Sequence, residues 1–364
     1  MTTVLMCQQG IPFRLSPARI QMVDELIKRG SKVVLFFPGR VRETELKKKV
    51  KAVVDTSKME AAAIRRQVRE YKPDIVICFT QEDTQICFSL PYIMKNTTFY
   101  YYNLEIYVKS IKLKSANICS RFINRIDYLQ NKLKEIIYVK GCEGIVIQDK
   151  LRKRILRKYG ISHSRTWLIP NSYYRNEKEY HVSHKTGLIY SGTVGANFLG
   201  TFIEQVDDLE DIEITISGWY LTNRKLIHSP NIKFIKHNFS QEQYTEFISA
   251  YDIALLWYSD QSDDNVYNIG LASGKYFKHL SLGQPVISNR VPGLAEEIEK
   301  YKVGIVIDNV KELKAAVQKI TENYDFYTEN IKRVYDRKYD YGRASQIFFD
   351  YIIAKVREDK KANS

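Results

Sequence analysis

The sequence predicts an α/β protein made of two doubly wound domains that face each other across a cleft. Three observations carry this expectation. Short apolar runs alternate with helical patterns along most of the chain, as parallel strands joined by crossover helices require. Val33–Phe37 and Ile75–Phe79 are continuously apolar, which fits strands covered on both faces. The alternation stops in a polar stretch at 173–186 and then begins again, and 364 residues suffice for two domains at roughly 100–200 residues each.

In the first half, Val4–Cys7 reads as a strand and runs into a loop through Gly10 and Pro12. Pro17–Arg29 reads as a helix, with Ser16 as N-cap, Pro17 in the first turn and Gly30 as its stop. Lys32–Phe37 is a strand closed by Pro38-Gly39, and Lys58–Tyr71 is helical. Pro73-Asp74 introduces the strand Ile75–Phe79, and Thr98–Tyr102 is a β-rich run. A long basic amphipathic region, Ile106–Lys140, precedes the strand Gly144–Gln148, the helix Lys150–Tyr159 and the strand Thr166–Ile169.

In the second half, strands are expected at Gly187–Ser191, Ile212–Ser217, Ile232–Phe234, Ile253–Trp257, Pro285–Ser288 and Gly304–Ile307. Helices are expected at Phe198–Val206, Gln241–Ala250, Gly274–Leu282, Val310–Thr321 and Tyr341–Lys355. The chain thus divides into a first domain at 1–172, a linker at 173–186 and a second domain at 187–340. A last helical segment, 341–364, is expected to return to the first domain. In sheets of this kind, ligands bind beyond the carboxyl ends of the strands.

Composition narrows the function classes. Hydrophobic residues make up 44% and charged residues 27%, enough for two cores and against disorder. No signal-peptide pattern and no apolar run of about 20 residues is visible, so a cytoplasmic protein is expected. The five cysteines, Cys7, Cys78, Cys87, Cys119 and Cys142, include no C-x-x-C pair and read as ordinary reduced thiols. No metal is expected.

The net charge of +14 is unevenly spread. Residues 1–170 carry 32 basic and 15 acidic side chains, whereas the remainder carries 24 and 27. Within 106–158, Ile111, Leu113, Ile118, Phe122, Ile126, Leu129 and Leu133 recur at helical spacing beside cations. One reading is a solvated helical face. The other is a peripheral contact with the anionic inner face of the plasma membrane, to which each basic residue adds ~1 kcal/mol. The apolar stripe between the cations, and the lack of any nucleic-acid motif, argue against DNA or RNA.

The richest segment is Gly270–Gly293, GLASGKYFKHLSLGQPVISNRVPG. Ser273, Gly274 and Lys275 open a helix, where free amides, close backbone approach and a point charge together suit a diphosphate. This run resembles the donor-binding signature of GT-B glycosyltransferases, especially the large retaining family 4 and its neighbours. The matching parts are Lys275, Leu280, Gly283, Pro285, Val286, Ile287, Pro292 and Gly293. Leu188–Gly195, Ile214–Gly218, Asn231–Trp257 and Gly144–Ser172 agree with that family in order and spacing.

The resemblance implies the GT-B fold of two Rossmann-like domains, and a transferase moving a sugar from a nucleotide-sugar co-substrate to a glycan or lipid-linked acceptor. It also implies a retaining outcome and a place in cell-surface polysaccharide or glycolipid synthesis. The donor would meet Gly10 and Arg14 in the first loop, and Ser191, Gly192 and Thr193 at a strand end. Further donor contacts would be Gly218, Trp219, Ser273, Gly274, Lys275, Asn289, Gly293 and Glu297. Glu105, or its rivals Glu82 and Asp83, would serve as the cleft carboxylate that accepts an acceptor proton.

One departure stands out. Where the family commonly has two acidic residues eight apart, this chain has Gly270 and Lys278. The ribose contact could pass to Asp263, Asp264 or Asn268, the donor could be held differently, or catalysis could be lost. Lys278 also reads as a solvated helix position. The alternatives are therefore a catalytically silent GT-B scaffold or, ranked last, a DNA-modifying glycosyltransferase.

Overall fold

The computed structural model describes residues 1–8, 17–39, 44–106, 118–175, 187–194, 199, 202–206, 212–219, 231–236, 239, 241–259 and 264–362, with only the backbone described for some residues at element ends. The chain forms two units. The first comprises Met1–Pro170 with Ala344–Ser364, and the second Asn171–Arg343.

The first unit holds seven strands: β1 (Thr2–Met6), β2 (Lys32–Phe37), β3 (Ala52–Asp55), β4 (Ile75–Cys78), β5 (Thr98–Tyr102), β6 (Gly144–Ile147) and β7 (Thr166–Leu168). They pair in the order β3-β2-β1-β4-β5-β6-β7, parallel throughout. The second unit holds β8 (Leu188–Thr193), β9 (Ile214–Trp219), β10 (Ile232–Lys236), β11 (Ile253–Leu256), β12 (Val286–Asn289) and β13 (Gly304–Ile307). Their order is β10-β9-β8-β11-β12-β13, again parallel.

Both sheets reverse direction of winding once. The loops leaving β1 and β4 diverge in the first unit, and those leaving β8 and β11 diverge in the second. A crevice opens at each such point, beyond the carboxyl ends of the strands.

Burial on both faces explains the apolar strand runs. Along β11 the side chains alternate between two cores: Ile253 and Leu255 join Ile214, Ile216 and Ile287, while Ala254 and Leu256 join Phe277, Leu280 and Val286. Each fully buried aliphatic side chain of this kind contributes about 1.5–3 kcal/mol. From Ala344 onward, the Tyr341–Ala362 helix packs in the first unit. There Phe348 meets Tyr100 and Trp167, and Lys360 pairs with Asp74 at 2.9 Å.

The structure adds elements that periodicity does not announce. β3 is four residues long and follows a run of lysines, so no alternation is visible. The helices Gln81–Cys87, Leu294–Tyr301 and Tyr324–Val334 are short or mix aromatic and β-branched residues. In the basic region the helix occupies Ile118–Gly141, and 107–117 lie outside the described residues. No described helix is long and apolar enough to cross a membrane. Cys7, Cys78, Cys87 and Cys142 are buried free thiols.

Candidate functional site

The crevice of the second unit is built around Lys275. Ser273 caps the Gly274–Ser281 helix, its hydroxyl accepting from the Tyr276 amide at 3.1 Å. The helix therefore begins with Lys275 in its first turn, pointing at the end of β8. Its ammonium donates to the Tyr190 hydroxyl at 2.9 Å and lies 4.3 Å from the Tyr190 ring centre and 4.8 Å from that of Tyr258. Tyr190 in turn donates to the Thr193 carbonyl at 2.8 Å, which ties the lysine to the strand-end loop. Burial lowers the Lys275 ammonium to about 7, because low-polarity surroundings disfavour its charged form.

Gly192 is required beside it. Its φ is +132°, and a Cβ there would lie 2.9 Å from Cδ of Lys275. The lysine stem occupies the space a side chain would need. A helix N-terminus, the end of β8 with Gly192 and a lysine thus converge.

The other expected donor residues divide sharply. Ser191 is wholly buried and does not present its hydroxyl to a ligand. It accepts from Tyr244 at 2.8 Å and meets His279 Nε2 at 2.9 Å. His279 Nδ1 lies 2.7 Å from Gln284 Oε1, and Gln284 donates to the carbonyls of Ile248 and Tyr251. Since the amide oxygen can only accept, Nδ1 carries the proton and Nε2 accepts from Ser191. Burial lowers His279 to about 4, so the ring is neutral at pH 7. The Ser–His pair ends on an amide, not a carboxylate, and serves to fix the helix against β8.

Asn289 is also committed internally. Its side chain accepts from the Tyr258 amide at 3.0 Å and donates to the Tyr258 carbonyl at 2.8 Å, holding that ring over Lys275. Tyr258 shares a hydroxyl contact with Ser273, which closes the arrangement. A Cβ on Gly218 would lie 2.0 Å from Val194 Cγ2 and 2.7 Å from the Gly192 carbonyl, so Gly218 permits strand packing. Gly293 precedes the Leu294–Tyr301 helix as its N-cap. Glu297 binds Lys338 at 2.7 Å and the Tyr339 hydroxyl, so its carboxylate is engaged within its own unit.

At the two positions where acids were expected by resemblance, the structure explains what stands there. Gly270 is buried with φ +43°, a conformation that an acidic L-residue would adopt only under strain. Lys278 is not solvated: it is 8% exposed and donates to Thr245 Oγ1 at 2.7 Å. Burial lowers its ammonium to about 8. Asp263, Gly10 and Arg14 lie outside the described residues, as do the side chains of Asp264 and Trp219.

At the equivalent point of the first unit, the described residues satisfy one another. Asp83 accepts from the amides of Gln8 (2.6 Å), Phe79 (2.8 Å) and Thr80 (2.9 Å), forming a capping box with Thr80. These are the amides that would otherwise receive an anion between β1 and β4. Burial pushes the Asp83 carboxyl up to about 6, against the opposing charge of Arg19 and three donors. Asp83 is therefore a plug, not a cleft carboxylate.

Its neighbours differ. Glu82 Oε2 is buried without a hydrogen-bond partner among the described residues. Glu105 acts electrostatically on Arg152, which is wholly buried, is lowered to about 10 by that burial and donates to the Leu104 carbonyl at 2.9 Å. Sequence reasoning missed a buried polar cluster nearby. Glu135 accepts from Tyr101 and Gln81, each at 2.8 Å, and pairs with Lys132 at 3.1 Å. It sits inside a helix whose pattern reads as amphipathic surface. Tyr190, inside β8, and Tyr258, two residues past β11, were also missed.

Comparison with known proteins agrees with this architecture. Residues 188–338 match the family model of the glucosyltransferase 3-like C-terminal domain. None of the curated proteins matches the sequence. Among solved structures, sucrose-phosphate synthase from Thermosynechococcus elongatus superposes with a TM-score of 0.68 at 12% identity, over 100% of both chains. Anabaena HepE in complex with UDP gives 0.68 at 10%, covering 97% of this chain and 100% of that one. WaaG, a glycosyltransferase involved in lipopolysaccharide biosynthesis, gives 0.65 at 15%, covering 96% and 99%. The chain therefore has the GT-B fold, with two Rossmann-like units, and most of its second unit is similar to the glucosyltransferase 3-like C-terminal domain.

Proposed function

We propose that the protein is a glycosyltransferase that uses a nucleotide-sugar donor, with the diphosphate received at Lys275. The observation that carries this reading is the Lys275 ammonium, held by Tyr190 and Tyr258 at the helix N-terminus in the second unit's crevice. In the reaction, the bond between the sugar's anomeric carbon and the diphosphate breaks, a bond to an acceptor hydroxyl forms, and that hydroxyl loses its proton. Negative charge grows on the departing diphosphate, where a preorganised cation and amides stabilise it most. Glu82, with a buried carboxylate oxygen that has no partner among the described residues, is our first candidate to receive the acceptor proton, and Glu105 the second. A uridine nucleotide and a glucosyl group are the first donor to test, given HepE's UDP complex and the domain's name.

The acceptor in this proposal is a glycan or lipid-linked sugar at an anionic membrane face, with retention at the anomeric carbon. Ile126, Leu129 and Leu133, spaced along one helical face, are 39%, 57% and 57% exposed. The Lys150–Lys158 helix exposes Lys150, Lys153, Arg154, Arg157 and Lys158. Apolar insertion beside cations is what such docking requires.

Thermal-shift screening against UDP, GDP, TDP, ADP and CMP sugars tests the donor reading. A bound donor adds stability of RT ln(1 + [L]/Kd), about 2.7 kcal/mol at a hundredfold excess over Kd. No shift with any donor would remove the transferase reading. It would leave the catalytically silent scaffold, which the positive φ at Gly270 and the buried Lys278 favour.

A further inference from the structure

The second unit carries another concentration of positive charge, at the far edge of its sheet. The Leu294–Tyr301 helix leads into β13, so its C-terminus lies at the edge opposite the strand carboxyl ends. Against it, the Tyr324–Val334 helix and the π-helical turn Tyr335–Tyr339 border an open hollow of ≈ 410 Å³. Lys300, Lys302, Arg333, Arg337 and Lys338 line it, and no lining residue is acidic. Tyr301 and Phe326 supply apolar walls, Phe326 being 48% exposed.

Three nearby acids are engaged, one of them with a cation of the hollow itself. Glu297 holds Lys338, Glu299 holds Arg290, and Asp336 holds Arg175. Among the described residues, Lys300, Lys302, Arg333 and Arg337 have no ion-pair partner. The hollow is also built. Asn330, 6% exposed, donates to the Lys302 carbonyl at 3.2 Å and accepts from Arg333. Lys302 holds φ +52° at the helix C-terminus, a place that glycine usually takes. A lysine kept in a strained conformation, and a π turn beside it, are features that recur at binding sites. Lys300, Lys302, Arg333 and Arg337 gather positive charge around one hollow, which an anion would neutralise.

We propose that this hollow is a second anion site, separate from the Lys275 crevice, which takes a phosphate-bearing group, either as a free phosphate compound or as a lipid headgroup. The test is calorimetric titration of the full chain with sodium pyrophosphate, in wild type, Lys275→Met and the double variant Lys302→Asn/Arg337→Gln. Asparagine tolerates the positive φ, and both positions are exposed, so the double variant should melt as wild type does. Should it not fold, Lys300→Gln/Arg333→Gln removes the same charge. Binding should survive in Lys275→Met, weaken about tenfold or more in the double variant, and fall with added salt. Sedimentation with vesicles of phosphatidylcholine and phosphatidylglycerol distinguishes the sources: a headgroup site loses vesicle binding in the double variant even where pyrophosphate binds weakly. If the double variant changes neither measurement, the proposal is overturned.

Discussion

The proposed diphosphate contact needs Lys275 charged, yet burial lowers its ammonium to about 7. Nucleotide-sugar affinity should therefore fall as pH rises from 7 to 9, by up to a decade per unit, because binding must first add a proton. Lys275→Met should lower affinity by about 10–100-fold, the worth of a charge-assisted contact, and flatten that slope. Calorimetry across the pH range checks both. His279 supplies a separate prediction. Its folded value of about 4 lies below the ordinary 6.5, so between these the unfolded chain binds a proton that the folded chain does not. Stability contributed by His279 is present above pH 6.5 and is lost as pH falls towards 4. His279→Gln should be destabilised at pH 7, by about 1–3 kcal/mol for the partners left unsatisfied, and should lose less stability than wild type between pH 6.5 and 4. Denaturant melts at the two pH values measure this. Lys275 was legible in the sequence because motif and helix start coincide. Ser191 was misread because sequence places it at a strand end without showing that Tyr244 and His279 already use its hydroxyl.

Among the elements, the Ile118–Gly141 helix makes the clearest division between structure and surface. One face buries Glu135, Tyr138 and Val139, and another leaves Ile126, Leu129 and Leu133 exposed. If the exposed face docks on lipid, Leu129→Ser/Leu133→Ser should weaken sedimentation with anionic vesicles several-fold while leaving the melting temperature within a few degrees. Unchanged sedimentation would remove the docking face. The amphipathic pattern itself was legible, since apolar residues recur at helical spacing. That Lys132 and Glu135 turn inward to Tyr101 and Gln81 was not, because two charged residues in a basic helix read as solvated. The short helices that frame the far cationic hollow were missed for a related reason: they acquire their order from packing, not propensity.

At the scale of the whole molecule, two sheets of like order carry unlike crevices. In the first unit Asp83 occupies the amides between β1 and β4, and in the second Lys275, held by Tyr190, stands between β8 and β11 where we propose the diphosphate binds. Nucleotide should therefore slow amide hydrogen exchange at 188–194 and 273–277 and leave 79–83 unchanged. Equal protection of both regions would contradict the assignment. Alternating apolar runs determined two doubly wound units, because strands buried on both faces must be apolar and short connections allow few topologies. Gly270–Gly293 likewise announced the helix and its lysine. Only the tertiary structure decided which polar residues face a ligand, since a hydroxyl or carboxylate reads the same in sequence whether water, substrate or its own chain satisfies it. That is why Asp83, Ser191 and Asn289 proved internal, and why Tyr190 and Tyr258 emerged as the residues that hold Lys275 in place.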